Sequence, residues 1–285
     1  MSVAALLGPA EIRDLAAQLD VTPTKKLGQN FVHDANTVRR IVASGRVAPD
    51  SRVLEIGPGL GSLTLGLTET GASVTAVEID GRLAAQLPTT VSAMQPDARL
   101  RVVHQDALAL TADELPEAPT HVVANLPYNV SVPVLLHLLA TFPSIERALV
   151  MVQAEVGYRI AAEPGSKVYG SPSVKAAWYG SWSIAGQVSR QVFWPVPNVD
   201  SVLVGFDRHD QPGDERLRAQ VFALVDGAFQ QRRKMLRQSL SGVLGGSARA
   251  SELLTAAAVD PTARGEMLSA DDFVRLGRTV LDAAA

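Results

Sequence analysis

Cysteine is absent from the 285 residues, which excludes disulfides, thiolate metal sites and a cysteine nucleophile. Methyl transfer to cytosine C5 through a covalent cysteine adduct is excluded with them. Histidine is scarce. His33, His104, His121, His137 and His209 are scattered without metal-ligand spacing and read as structural. No uninterrupted apolar run approaches the roughly 18 residues of a membrane span. The first twenty residues carry Glu11, Arg13 and Asp14 and no basic leader, so no secretory signal is expected and a cytoplasmic location is the default. Nor is there an excess of positive charge. Twenty-six Lys and Arg against 29 Asp and Glu leave a net charge of −3, which does not advertise a nucleic-acid ligand. The cations are gathered locally instead: Lys25, Lys26, Arg39, Arg40 and Arg46 near the start, then Arg232, Arg233, Lys234 and Arg237 within six positions. By itself such a run is more often a solvated helix face.

What is present is an ordinary globular composition, 47% hydrophobic and 19% charged, at a length that suits one large α/β domain and a small appendage. Residues 1–20 read as a short amphipathic helix, and a second helix is expected from about Asn36 to Ala43. Apolar runs bounded by turn residues mark strands at Arg52–Ile56, Ser73–Ile79, Leu100–His104, His121–Ala124 and Arg147–Ala154. Helices are expected after Ser62 and from Val132 to Ala140. Trp182–Val192 and Val199–Asp207 are expected to form an antiparallel pair at the sheet edge. A polar linker from Arg208 to Asp214 then separates residues 1–207 from an all-helical remainder, 208–285.

The chemistry gathers at the ends of the strands. The first runs into Gly57-Pro58-Gly59-Leu60-Gly61-Ser62 and a helix, the arrangement that brings backbone close to a nucleotide-like ligand. Glu78 lies about 20 residues beyond the glycines, where an acid at the tip of the second strand binds the hydroxyls of a ribose. Asp106 follows the third strand and can accept a hydrogen bond from an adenine amine. The fourth strand ends in Asn125-Leu126-Pro127-Tyr128. The Asn125 side-chain oxygen and the Leu126 carbonyl can accept two N–H bonds from an exocyclic amine. Pro127 fixes its own φ and brings no competing donor, and Tyr128 offers a flat face to a base. Ordinary turn chemistry, with Asn125 capping the next helix, accounts for the tetrad equally well in isolation. A dinucleotide-dependent dehydrogenase would share the glycines and the ribose acid. Its G-x-G-x-x-G spacing is missing, however, and hydride transfer has no use for Asp106 or the Asn125 tetrad.

From about residue 22 to 280 the chain resembles the small-subunit ribosomal RNA adenine-N6,N6 dimethyltransferases. The matching stretches include Leu27-Gly28-Gln29-Asn30-Phe31, Glu55-Ile56-Gly57-Pro58-Gly59, Val77-Glu78-Ile79-Asp80, Gln105-Asp106-Ala107 and Asn125-Leu126-Pro127-Tyr128-Asn129. Later stretches are Gly165-Ser166-Lys167-Val168-Tyr169-Gly170, Phe193 to Ser201, Phe229-Gln230-Gln231-Arg232-Arg233-Lys234, and Arg264-Gly265-Glu266. The chain departs from the pattern at Val32 and Pro172, where leucine is usual.

The resemblance implies a Rossmann-like S-adenosylmethionine-dependent methyltransferase sheet, mostly parallel with an antiparallel edge strand, and a small helical C-terminal domain. It implies cofactor contacts at Asn30, Val32, Gly57, Gly59, Glu78, Asp106 and Asn125. The target base would meet Asn125, Leu126, Pro127 and Tyr128, with Phe193 opposite Tyr128. It turns Lys25, Lys26, Lys167, Arg232, Arg233, Lys234 and Arg237 into a phosphate-tracking surface. The implied partner is small-subunit ribosomal RNA within a pre-assembled 30S particle, bound by a monomer with no membrane involved. Three alternatives remain open here. One is a large-subunit adenine methyltransferase of the macrolide-resistance type, another an assembly factor whose methylation is incidental. The third, a DNA adenine methyltransferase, is disfavoured by Leu126 where a second proline would stand.

Overall fold

The computed structural model describes residues 6–21, 30–127 and 130–284. The chain divides into two compact units, residues 1–157 with 183–208 and residues 158–182 with 209–285. The second unit therefore takes in a segment from within residues 1–207 as well as the C-terminal helices.

The first unit begins with α1 (Pro9–Gln18), then β1 (Phe31–Val32) and α2 (Ala35–Ser44). The Asp34 carboxylate caps α2 by accepting from the Thr37 N–H at 2.6 Å. Val38, Ile41 and Val42 form the buried stripe of that helix. There follow β2 (Arg52–Ile56), α3 (Ser62–Glu69), β3 (Ser73–Glu78), α4 (Gly81–Met94), β4 (Leu100–His104), β5 (His121–Asn125), α5 (Ser131–Thr141) and β6 (Arg147–Gln153). After α6 (Ala154–Ile160), and α7 (Ser171–Ala177), which belongs to the second unit, come β7 (Gly180–Val188), β8 (Phe193–Trp194) and β9 (Ser201–Arg208).

Seven strands form one sheet in the order β4-β3-β2-β5-β6-β9-β7. The first five are parallel neighbours, and β9 runs antiparallel to β6 from Arg147↔Asp207 to Gln153↔Ser201. Residues Ala148 to Val152 of β6 are buried without interruption, the pattern of a strand covered on both faces. The chain steps outward from β2 to β4, then restarts at β5 on the other side of β2. That reversal places the ends of β2 and β5 side by side, where open α/β sheets hold their ligands.

The two late strands close the sheet as its last two neighbours, as expected; β9, antiparallel to β6, lies one place in from the edge, which β7 forms. β7 stops at Val188, short of the expected Val192, because the Ser189 hydroxyl accepts from the Gln191 N–H at 3.3 Å and turns the chain. Phe193 and Trp194 then leave the large sheet and pair with Val32 and Phe31 as a separate two-stranded ribbon. Helix α4 has no counterpart in the sequence reading; Pro88 stands inside it and breaks the helical pattern. Pro172 occupies the first turn of α7, a position that suits proline.

In the second unit, α8 (Glu215–Gln230) and α12 (Ala270–Asp282) pack with the short α9 (Leu236–Ser239) and α10 (Ser241–Leu244), and with α11 (Ser247–Ala256). Their core holds Val221, Leu224, Leu254, Phe273 and Leu276. Asp214 and Ser269 cap the two long helices. No helix among the described residues is long and apolar enough to cross a membrane.

Candidate active site

At the β2 tip the chain must turn at once from strand into α3. It does so through Gly57, Gly59 and Gly61, all with positive φ (67°, 58° and 98°), where side chains are strained. Space is limiting as well: a Cβ on Gly59 would come within 2.8 Å of the Phe31 ring. The tip of β3 supplies Glu78, buried at 6% exposure. Its Oε2 accepts from the Gly59 N–H at 3.1 Å and its Oε1 from the Asp80 N–H at 2.9 Å. Burial pushes the Glu78 carboxyl up and these backbone donors oppose the shift. Just past β4, Asp106 Oδ1 accepts from the Leu108 N–H at 2.9 Å.

At the β5 tip, Asn125 Nδ2 donates to the Asn30 carbonyl at 3.0 Å. That bond assigns the amide: nitrogen toward Asn30, oxygen left as an acceptor. The Leu126 N–H goes to the Met151 carbonyl at 3.0 Å, and Pro127 accepts from the Val130 N–H at 3.3 Å.

These strand ends bound one cleft of about 1010 Å³, open to solvent. Asn30, Val32, Gly57, Gly59, Glu78, Asp106, Asn125 and Pro127 all line it, so elements far apart in sequence converge there. Apolar surface from Ile79, Ala107 and Val130 lines the same cleft, suited to a heteroaromatic ring. A nucleoside-bearing methyl donor such as S-adenosylmethionine fits this set: an acid at a sugar-binding position, a second acid for an amine, and backbone that admits close approach. Glutamine at 78 should lose about tenfold or more in cofactor affinity. Both Glu78 oxygens already accept backbone N–H bonds, so an amide must turn its NH2 against one of them. Isothermal titration with the cofactor reads this directly.

Leu126 is 1% exposed and is not among the described residues lining the cleft. Phe193 is also 1% exposed; it packs with Val32, Val188 and Leu203 and is not among the described residues lining the cleft. Tyr128, Lys25 and Lys26 lie outside the described residues. Of the other early cations, Arg39 pairs with Glu69 and Arg46 with Asp207, while Arg40 donates to the Gln187 carbonyl. Lys167, Arg233, Lys234 and Arg237 are exposed on the second unit and Arg232 is half-buried.

Sequence reasoning missed Glu55. It lines the cleft at 1% exposure. Its Oε2 accepts from the Thr64 hydroxyl at 2.7 Å, and its Oε1 has no hydrogen-bond partner among the described residues. The available sign was an acid inside the apolar run Val53-Leu54-Glu55-Ile56. Burial, with the nearby Glu78 carboxylate adding to it, pushes Glu55 from the ordinary 4.5 up to about 8. Between those values the unfolded chain ionises while the folded one keeps its proton. The contribution to stability is therefore full below pH 4.5 and is lost as pH rises toward 8. Glutamine mimics the protonated acid and still accepts from Thr64. Glu55→Gln should flatten the fall in denaturation midpoint across that window and gain stability on wild type only at its alkaline end.

The sequence profile of the ribosomal RNA adenine dimethylases matches residues 22–280. Ribosomal RNA small subunit methyltransferase A of Leifsonia xyli subsp. xyli is 68% identical over 274 residues, 95% of this chain and 97% of that protein. The protein of the same name from Streptomyces coelicolor is 59% identical over 276 residues, covering 95% and 96% of the two chains. Among solved structures, a dimethyladenosine transferase from Plasmodium falciparum superposes with a TM-score of 0.73 at 21% identity, over 86% of this chain and 95% of that one. At that identity the likeness is one of fold. The 23S rRNA methyltransferase ErmE superposes with a TM-score of 0.66 at 27% identity, over 88% and 99%. The sheet is thus the Rossmann-like one of methyltransferases. Matched by a family profile over nearly its whole length and by relatives of equal extent, the chain belongs to the ribosomal RNA adenine dimethylase family.

Proposed function

We propose that the protein dimethylates the N6 amino groups of two adjacent adenines near the 3′ end of small-subunit ribosomal RNA, as a step in ribosome biogenesis. S-adenosylmethionine is the methyl donor, and when bound it supplies an electrophilic methyl group on a sulfonium. The substrate is the RNA within a pre-assembled 30S particle, and the enzyme acts as a cytoplasmic monomer.

The observation that carries this reading is the clamped Asn125 amide beside the ribose-type acid. Glu78 keeps acceptor lone pairs for sugar hydroxyls while its two backbone donors hold it still. Asp106 accepts from an adenine amine in the same cleft. Adenine N6 is a poor nucleophile because its lone pair is delocalised into the ring. Asn125 Oδ1 and the Leu126 carbonyl accept the two N–H bonds of the target amine and hold them out of the ring plane, which frees that lone pair. Tyr128 holds the extruded base by its face, an interaction on the order of 1–3 kcal/mol that offsets unstacking. In-line placement is then the main requirement. The methylated amine loses its proton readily, so no strong general base is called for. In the second transfer the amine has one N–H left, and one of the two acceptors stands idle.

The test is mass mapping of modified bases after incubation with unmethylated small subunits. Dimethyladenine at two neighbouring positions is expected. Methylation confined to large-subunit RNA or to DNA, when either is offered alongside the small subunits, would overturn the assignment.

A further inference from the structure

Arg264-Gly265-Glu266 has no place in the cleft chemistry, yet the second unit is stitched together around it. The segment from Pro261 to Leu268 receives bonds from two directions. From the first residues of α9 come the Leu236 N–H to the Ala263 carbonyl at 2.8 Å and the Arg237 N–H to the Pro261 carbonyl at 3.1 Å. From the loop at 163–170 come the Gly165 N–H to the Glu266 carbonyl at 2.8 Å and the Tyr169 hydroxyl to the Leu268 carbonyl at 2.8 Å. Gly265 allows the approach, since a Cβ there would stand 3.0 Å from the Ala228 Cβ and 3.3 Å from its carbonyl oxygen.

One pair of side chains joins the two sides. Arg232 Nε meets Glu266 Oε2 at 2.6 Å, and Arg232 Nη2 donates to the Lys167 carbonyl at 2.8 Å. The guanidinium thus faces a carboxylate and the backbone of the loop at once. Its neighbours Arg233 and Lys234 differ: both are exposed, as is Lys167, and none of the three makes an ion pair among the described residues. An Arg whose charge is matched and two of whose donors are engaged is less well placed to take up a phosphate than those neighbours.

We propose that Glu266 is a positioning residue acting through Arg232: the pair locks the loop at 163–170 to the turn between α8 and α9, so that Lys167, Arg233 and Lys234 form one preset phosphate-binding surface. Arg232 is the tie in that surface, not one of its phosphate ligands. The inference rests on the RNA reading above. An isolated, half-exposed ion pair contributes little to stability. The effect of this one is therefore preorganisation: binding loses less entropy when the cations are already in register.

The test uses the full chain and unmethylated small ribosomal subunits, with affinity measured from about 50 to 200 mM salt. Arg233→Gln should weaken binding and make the slope of log affinity against log salt shallower by about one. Arg232→Gln should weaken binding several-fold and keep the wild-type slope. Glu266→Gln should weaken it by a similar factor, although it makes the protein more positive. The double variant should be no weaker than either single one. Amide hydrogen exchange in residues 163–170 should accelerate in both tie variants and stay unchanged in Arg233→Gln. A shallower slope for Arg232→Gln, equal or tighter binding by Glu266→Gln, or unchanged exchange in the tie variants would overturn the proposal. A flat slope in wild type is a different result: it would remove the RNA surface itself, and this inference with it.

Discussion

Alanine at position 125 should cut methyl incorporation by about 100-fold or more, in first and second transfers alike. The protein should stay folded, because the change removes one half-buried hydrogen bond, to the Asn30 carbonyl, worth about 1 kcal/mol. Aspartate sharpens the test. It keeps an acceptor oxygen but presents a carboxylate to the Asn30 carbonyl, so the side chain cannot hold its place. Asn125→Asp should therefore be nearly as inactive as Asn125→Ala. Methyl incorporation into unmethylated subunits, with melting temperatures alongside, measures both. Near-normal turnover by the alanine variant would refute the role of Asn125, and an active aspartate variant would show that the clamp is dispensable.

Phe193→Ala should be the most destabilising single change among the candidate site residues, at about 3–5 kcal/mol. The ring is 1% exposed, belongs to the same cluster as Val38, Val53 and Met151, and sits on the strand whose pairing with Val32 holds the cleft-lining segment. Leucine fills most of that volume, so Phe193→Leu should recover most of the stability. With stability restored, turnover at saturating cofactor separates packing from stacking. Packing alone predicts near-normal turnover in the leucine variant. A fall of about tenfold at wild-type stability would instead show that the ring also faces the target base, as the family resemblance implies, since that is the scale of a lost aromatic face.

Much of this is legible in the sequence, and the reason is local. β4 runs from Leu100 to His104 and β2 from Arg52 to Ile56, as the apolar runs have them. The carboxyl ends of β2, β3 and β5 are marked by residues that interrupt apolar runs: Gly57, Glu78 and Asn125. Chemistry at a strand end announces itself this way, because a polar residue there has no packing reason to follow a buried strand. What was not legible depends on partners remote in sequence. The burial of Phe193 follows from its pairing with Val32, which no spacing rule gives. The orientation of the Asn125 amide depends on a carbonyl 95 residues away. Glu55 stands inside an apolar run, but its place in the cleft and its bond from the Thr64 hydroxyl exist only once the sheet has closed around it. Arg232 reads as one cation among four, and only Glu266 and the Lys167 carbonyl set it apart.

The position of β9 bears on how the polypeptide matures. β6 is the most apolar strand of the sheet. Its free flank is covered along its full length only by residues 201–208, more than forty positions downstream. Arg208 then fastens the join, donating to the Leu139 and Phe142 carbonyls at 3.1 and 3.3 Å. A nascent chain emerging from the ribosome therefore displays an unpaired hydrophobic β-edge until that stretch has been synthesised. Fragments that stop short of Ser201 carry the same sticky edge permanently, and any shortened form of the catalytic unit has to retain residues 201–207 to keep β6 paired.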